Sequence, residues 1–149
     1  MGWRPGERVR YSARFYIPRG FKRRMQGQVD ILRWDTWPGA DRSGISIYGS
    51  DKRARLVRQR LGVEQVAISR PFRLPEGRWF RLEVRQRIAR RGARNTVYLD
   101  GRRIASSRTR NTYGLTVQRI RYGLVAIAAG AQRRSLHLYF DDARVRRGR

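Results

Sequence analysis

The chain has 149 residues, 36 of them basic and 11 acidic, for a formal net charge of +25. It contains no cysteine, which excludes disulfides, thiolate metal sites and a cysteine nucleophile, and its single histidine excludes a multi-histidine metal centre. That length fits one domain, residues 1–149, with a hydrophobic core of its own.

Residues 2–6 make an opening turn. From 7 to 17, Val9, Tyr11, Ala13, Phe15 and Ile17 alternate with Arg8, Arg10, Ser12, Arg14 and Tyr16. This is the period of a strand with one buried face. Pro18 ends it, and Arg19-Gly20 turns. Residues 26–34 read as a second strand, with Val29 and Ile31 opposite Asp30 and Leu32. Residues 35–43 hold Trp37, Pro38, Gly39 and Asp41 and read as a loop. Short strands follow at 44–48, 55–61 and 64–69, separated by turns at Ser50-Asp51-Lys52 and Gly62. The segment 56–66 also fits a weak helix. After Pro71 and Pro75, Phe80, Leu82 and Val84 alternate with Trp79, Arg81, Glu83 and Arg85. An Arg/Gly-rich loop leads to Val97 and Leu99 and then to Asp100-Gly101, which supplies the positive φ angles of a two-residue hairpin turn. Residues 102–106 form the return arm, and 107–114 a polar loop. Residues 115–127 are strand-like, with a bulge predicted at Gly123. Residues 135–145 close the chain, Leu136, Leu138 and Phe140 on one face and His137, Tyr139 and Asp141 on the other; 144–149 are a basic tail.

No segment sustains a helical period. Many short strands separated by turns predict an all-β sandwich or barrel. The longest apolar run, 124–131, is too short to span a bilayer, and the opening MGWRPGERVR has no apolar stretch of the kind a signal peptide carries. The compartment stays open on these grounds.

Lys22 and Lys52 are the only lysines, so the positive charge is almost entirely arginine. A charge of this size attracts polyanions: acidic polysaccharide, nucleic acid, anionic lipid or an acidic protein partner. Arginine's planar fork matches carboxylate, sulfate and phosphate alike. A GC-rich genome, or a hot habitat, would explain the arginines but not the shortage of acids.

Three segments together resemble the concanavalin A-like lectin/glucanase superfamily, which includes laminin-G-like domains and several polysaccharide lyases. They are the tryptophan-headed strand EGRWFRLEV, the strand–turn–strand NTVYLDGRRIA, and the closing RRSLHLYFDDARV, with VQRIRYGL similar to the strand that often precedes it. The matching part is roughly the last half of the chain. The resemblance implies an antiparallel two-sheet jelly-roll sandwich, one sheet concave and one convex, with ligands on the concave sheet or its rim loops. It also implies an extracellular or particle-associated setting, and calcium near the closing strand in some members.

The candidate sites follow from both readings. Retaining glucanases need two carboxylates about 5–5.5 Å apart. Glu83 has no carboxylate two residues away on either side, which sets glycoside hydrolysis aside. A polysaccharide lyase needs a cation on the uronate carboxylate and a base to take the neighbouring proton. His137 and Tyr139, two apart among arginines, are the candidates, against the plainer reading of His137 as an ordinary strand residue. Asp141 and Asp142 offer oxygen ligands for calcium, or a salt bridge to arginine and a turn cap. Trp34 and Trp37 follow Arg33 beside a Pro/Gly loop. An exposed indole there stacks on a sugar ring or base with the arginine clamping its anionic group, and a buried one plugs the end of the sandwich. Trp79 is read as a packing residue, as the resemblance implies. Arg81, Arg85 and Arg87 share one strand face, Arg58 and Arg60 share another, and Arg90, Arg91 and Arg94 cluster in the adjoining loop.

The leading functional reading is a non-catalytic module that binds an acidic polysaccharide or other polyanion through Arg33, Trp37, Arg58, Arg60, Arg81, Arg85, Arg87, Arg90, Arg91 and Arg94, with no cofactor. The alternatives are a structural or assembly component docked on an acidic partner or nucleic acid, and a uronate-specific lyase.

Overall fold

Alternation of apolar and polar residues sets the architecture. In the computed structural model, residues 2–36, 41–60, 65–89, 91–109, 117–126 and 136–148 are described. The elements run β1 (Arg8–Tyr16), α1 (Phe21–Arg24), β2 (Gln28–Thr36), β3 (Asp41–Tyr48), β4 (Ala54–Arg60), β5 (Val66–Ala67), β6 (Trp79–Arg87), β7 (Arg94–Leu99), β8 (Arg102–Ser107), β9 (Val117–Ala126) and β10 (Tyr139–Arg147). They form two five-stranded antiparallel sheets. The first has the order β10-β1-β6-β7-β8 and the second β5-β4-β3-β2-β9. The fold is the all-β two-sheet sandwich that the sequence predicts.

The inner faces make one core. Across β1 and β6, Tyr11 pairs with Val84, Ala13 with Leu82 and Phe15 with Phe80. The second sheet answers with Ile31, Leu32, Trp34, Ile45, Ile47 and Leu56, all buried. Tyr11 stacks on Trp34 across the sandwich, ring centroids 5.5 Å apart and 14° from parallel. Trp34 is thus the plug of the two readings open to it. Burying each of these large side chains contributes about 1.5–3 kcal/mol.

The predicted hairpin is present: Asp100 and Gly101 have φ of 49° and 82°, and Leu99 pairs with Arg102 on either side of them. Gly123, at φ 112°, sits where the β2–β9 register slips between the pairs Asp30–Val125 and Leu32–Tyr122, the bulge expected there. On the β2 side, that slip turns Leu32 into the core beside Ile31, whereas strict alternation predicted it outside with Asp30.

Other boundaries differ from the sequence reading. The 35–43 loop is shorter, because Asp35 and Thr36 extend β2 and Asp41–Ser43 begin β3. A four-residue helix, α1, follows the Pro18 break; Phe21 anchors it in the core, and Glu76 accepts a 2.8 Å bond from the Lys22 amide. The basic tail is largely strand: Arg144, Arg146 and Arg147 pair with Ser12, Arg10 and Val9. An edge strand without apolar alternation hides from a pattern that looks for a buried face.

The β2 slip also dictates a glycine. A Cβ on Gly44 would stand 2.4 Å from the Leu32 carbonyl oxygen, a backbone atom that cannot rotate away. We predict that Gly44→Ala destabilises the fold by about 1–3 kcal/mol, the usual cost of overpacking. A denaturant midpoint equal to the wild type would refute this account of the bulge.

Candidate functional site

The outer face of the first sheet carries the charge. β1 and β6 pair without interruption from Arg8–Arg87 to Tyr16–Trp79, so their outward side chains line up in rows. The row farthest from the Tyr16 end is Arg8–Arg87–Arg94, across β1, β6 and β7. The next is Arg146–Arg10–Arg85, across β10, β1 and β6. All of these arginines but Arg146 line an open depression of about 940 Å³. Arg8, Arg10, Arg85, Arg87 and Arg94 line it, with Arg103 on β8 and Arg108 just beyond; among the described residues no carboxylate does. Tyr98 and Thr96 form part of its wall, and the Arg85 guanidinium lies over the Tyr98 ring at 4.4 Å.

The middle of the face is partly neutralised. Glu83, its side chain almost wholly buried, ion-pairs with both Arg10 and Arg85, the latter at 2.6 Å. Asp142 does the same for Arg81 and Arg144, the Arg144 Nε at 2.6 Å. Asp142 stands at φ 51°, and its amide donates to the Asp141 carboxylate at 2.7 Å. Asp142 thus carries two salt bridges, and Asp141 accepts from its amide at the irregularity of β10 against β1. Among the described residues no cluster of three or more His, Asp or Glu side chains stands ready for a metal.

The far end of the same face is aromatic. Tyr139, Tyr16 and Trp79 sit side by side on β10, β1 and β6. Trp79 is 42% exposed and Tyr139 54%. Trp79 points outward, so the packing role implied by the family resemblance does not hold here. Arg14 lies 5.3 Å over its ring. His137, exposed, precedes β10 at this end.

The structure thus gathers Arg85, Arg87 and Arg94 at the depression, with Arg91 exposed in the turn between β6 and β7. It sets Arg81 nearer the aromatic end of the face. Arg33, Arg58 and Arg60 belong to strands of the second sheet. Arg33 is nearly buried there; Asp35 accepts from its Nε at 2.6 Å and pairs with Arg121 at 3.2 Å. Trp37 and Arg90 lie outside the described residues, as does the Arg60 side chain.

Sequence reasoning missed Arg8, Arg10, Arg103 and Arg108 at the depression. The alternation of β1 already placed Arg8 and Arg10 outward. What was missing was the pairing partner, since β1 and β6 lie about seventy residues apart in sequence. It also missed Asp30, buried on the second sheet, where its carboxylate accepts a bond from the Ser46 hydroxyl and faces the Gln65 amide at 3.5 Å. Burial raises the Asp30 pKa above the usual carboxylate value, against the lowering by those two partners.

No family model matches the chain, and no curated protein matches it in sequence. Solved structures do match its fold. An endo-β-1,4-glucuronan lyase from the fungus Trichoderma reesei superposes with a TM-score of 0.71 at 19% identity, over 97% of this chain and 70% of its own. An alginate lyase from a Chlorella virus gives 0.65 at 10% identity, over 96% and 72%. A carbohydrate-binding module from Bacillus subtilis gives 0.55 at 10%, over 94% and 75%. At these identities the likeness is one of fold alone, an antiparallel two-sheet sandwich shared with these lyases and the binding module.

The Asp142 network makes a pH prediction. Hydrogen bonds from Arg81 and then Arg144 hold the Asp142 carboxyl below its ordinary range. A depressed carboxylate contributes stability above its unfolded pKa, near 4, and loses it as the pH falls through the folded value. Asp142→Asn keeps a residue that tolerates positive φ. It should melt below the wild type at pH 7, and the gap should close below pH 4. A gap that persists in acid would show that the charge is not its source.

Proposed function

We propose that this chain is a non-catalytic binding module that holds an acidic polysaccharide on the arginine-lined outer face of its first sheet. One observation carries the reading: five arginines from two in-register rows, Arg8, Arg87 and Arg94 in one and Arg10 and Arg85 in the next, line one depression. Like charges directly opposite one another across strands are destabilising. An incoming polyanion offsets that repulsion and receives bidentate, charge-assisted hydrogen bonds. The depression is open, which suits a chain laid across it better than a small molecule enclosed within it. Proteins of the same sandwich include a carbohydrate-binding module and lyases named for glucuronan and alginate, which supports a carbohydrate-related role.

The candidate bases His137 and Tyr139 do not line the arginine depression. Proton abstraction needs the base within hydrogen-bond reach of a sugar held by the cation. His137 and Tyr139 stand at the aromatic end, and Tyr16, the partner of Tyr139, is six residues along β1 from Arg10, about 20 Å.

The expected result on an immobilised glycan panel is retention of uronate- and sulfate-bearing polymers but not neutral ones, with affinity falling steeply as salt rises. Arg87→Ala combined with Arg94→Ala should weaken binding by roughly tenfold or more, since each charged hydrogen bond contributes about 1.5–3 kcal/mol. Elution from heparin at low salt, with no acidic glycan retained, would defeat the proposal. Unsaturated ends appearing in glucuronan or alginate would replace it with a lyase.

A further inference from the structure

The aromatic row has no task in the arginine reading. Three rings stand on three neighbouring strands, Tyr16 centred 5.7 Å from Trp79 and 6.1 Å from Tyr139. Trp79 and Tyr139 are among the few large apolar side chains that the described residues leave exposed, on a face that is otherwise charged. Core packing does not account for them, because Phe15, Phe80 and Phe140 on the opposite side of the same strands contact one another and Tyr122. The row continues directly into the charged face: Arg14, with its guanidinium over the Trp79 indole, is flanked in the next row by Arg81.

We propose that Trp79, Tyr16 and Tyr139 form a sugar-stacking subsite, and that the ligand is an acidic oligosaccharide chain running along the strands from this row to the arginine depression. The inference rests on the polyanion reading of that face and adds the ligand's ring chemistry, length and direction. A pyranose ring presents an apolar C–H face that packs on an aromatic plane, while indole N–H and phenol O–H groups bond to ring hydroxyls. Arg14, with its guanidinium beside this row, is placed to take a carboxylate or sulfate on the same or the next ring. From Tyr16 to Arg8 is eight residues of strand, about 26 Å, so a single sugar cannot touch both ends and a chain of several units can. The rings are tilted 47° and 59° to one another and leave no parallel slot, so a planar base has nowhere to intercalate between them. This favours sugar over single-stranded nucleic acid.

The test titrates size-graded acidic oligosaccharides, derived from heparin and from polyglucuronate, and a single-stranded thymidine oligomer. The proteins are the wild type, Trp79→Ala, Tyr139→Ala and the Arg87→Ala/Arg94→Ala pair, with a thermal melt of each. Tyr139 is on an exposed edge strand, so its variant keeps the test valid if the Trp79 variant melts early. Each aromatic variant should weaken binding of the long oligosaccharides by about five- to tenfold with the salt dependence unchanged, because stacking releases no counterions. The arginine pair should reduce the salt dependence. Short oligosaccharides should bind far more weakly than long ones, and a long one should shield an indole from iodide quenching in the wild type but not in Trp79→Ala. Unchanged affinity in both aromatic variants, with binding lost in the arginine pair, overturns the subsite and leaves the polyanion face standing. Absence of any acidic-glycan binding by the wild type overturns the face itself. Tighter binding of the thymidine oligomer, lost in Trp79→Ala, overturns the sugar assignment.

Discussion

The uninterrupted pairing of β1 with β6 is the constraint on which the rest depends. Nine consecutive residue pairs, Arg8–Arg87 through Tyr16–Trp79, run without a bulge. Side chains on a strand alternate strictly between faces, so this one register decides both surfaces of the sheet. Inward it sets Tyr11 beside Val84, and Phe15 beside Phe80 with ring centroids 6.1 Å apart. Outward it sets arginine beside arginine at one end and tyrosine beside tryptophan at the other. A slip of one residue would drive the arginines into the core and the aromatic core into water. The arginine rows are therefore held in place by the hydrophobic burial behind them, despite their mutual repulsion.

The scarce acids are used in a consistent way. Glu83 holds Arg10 and Arg85, Asp142 holds Arg81 and Arg144, and Asp35 holds Arg33 and Arg121. Each carboxylate is shared between two guanidinium groups, which leaves every such trio net positive. Exposed pairs of this kind contribute little to stability, and the measurable contribution falls to the more buried members. Their effect on the first sheet is to position charge: Glu83 fixes two arginines at the edge of the depression, and among the described residues no carboxylate lines its walls. The two lysines are employed elsewhere. Both ammonium groups donate to backbone carbonyls, Lys22 to Leu74 and Lys52 to Met25. On the outer face of the first sheet every cation is a planar fork suited to bidentate anion recognition.

The sequence made the sandwich legible because its central strands bury one face and expose the other. β1, β6 and the Asp100-Gly101 hairpin could be read residue by residue, since alternation and turn chemistry are local signals. β10 was half hidden: its arginines carry no alternation, so they resembled a tail until Arg144, Arg146 and Arg147 were seen paired with β1. Leu32 was misplaced because a bulge shifts the phase of a strand without leaving a mark in its composition. The site was less legible than the fold. Arg85, Arg87 and Arg94 are close in sequence and were found together; Arg8, Arg10 and Arg103 reach the same depression only through long-range pairing. Arg58 and Arg33 looked equivalent to them and belong to the other sheet, a distinction that no local pattern encodes.

Trp79 shows how a resemblance can misdirect a reading of function. Heading a strand in a position associated with packing, it seemed accounted for by the fold. Its partners give a different account: Tyr16 and Tyr139 flank it, Arg14 covers part of its ring, and it stands on the polar side of the sheet opposite Phe80's neighbours. At 42% exposure Trp79 still leaves a large part of its apolar surface in water, which core burial does not account for. The same register that builds the core therefore leaves two differently equipped ends on one surface, aromatic and cationic, joined by a partly neutralised band. A ligand with apolar ring faces and regularly spaced anionic groups is complementary to both ends at once, and neither a compact anion nor a neutral sugar is.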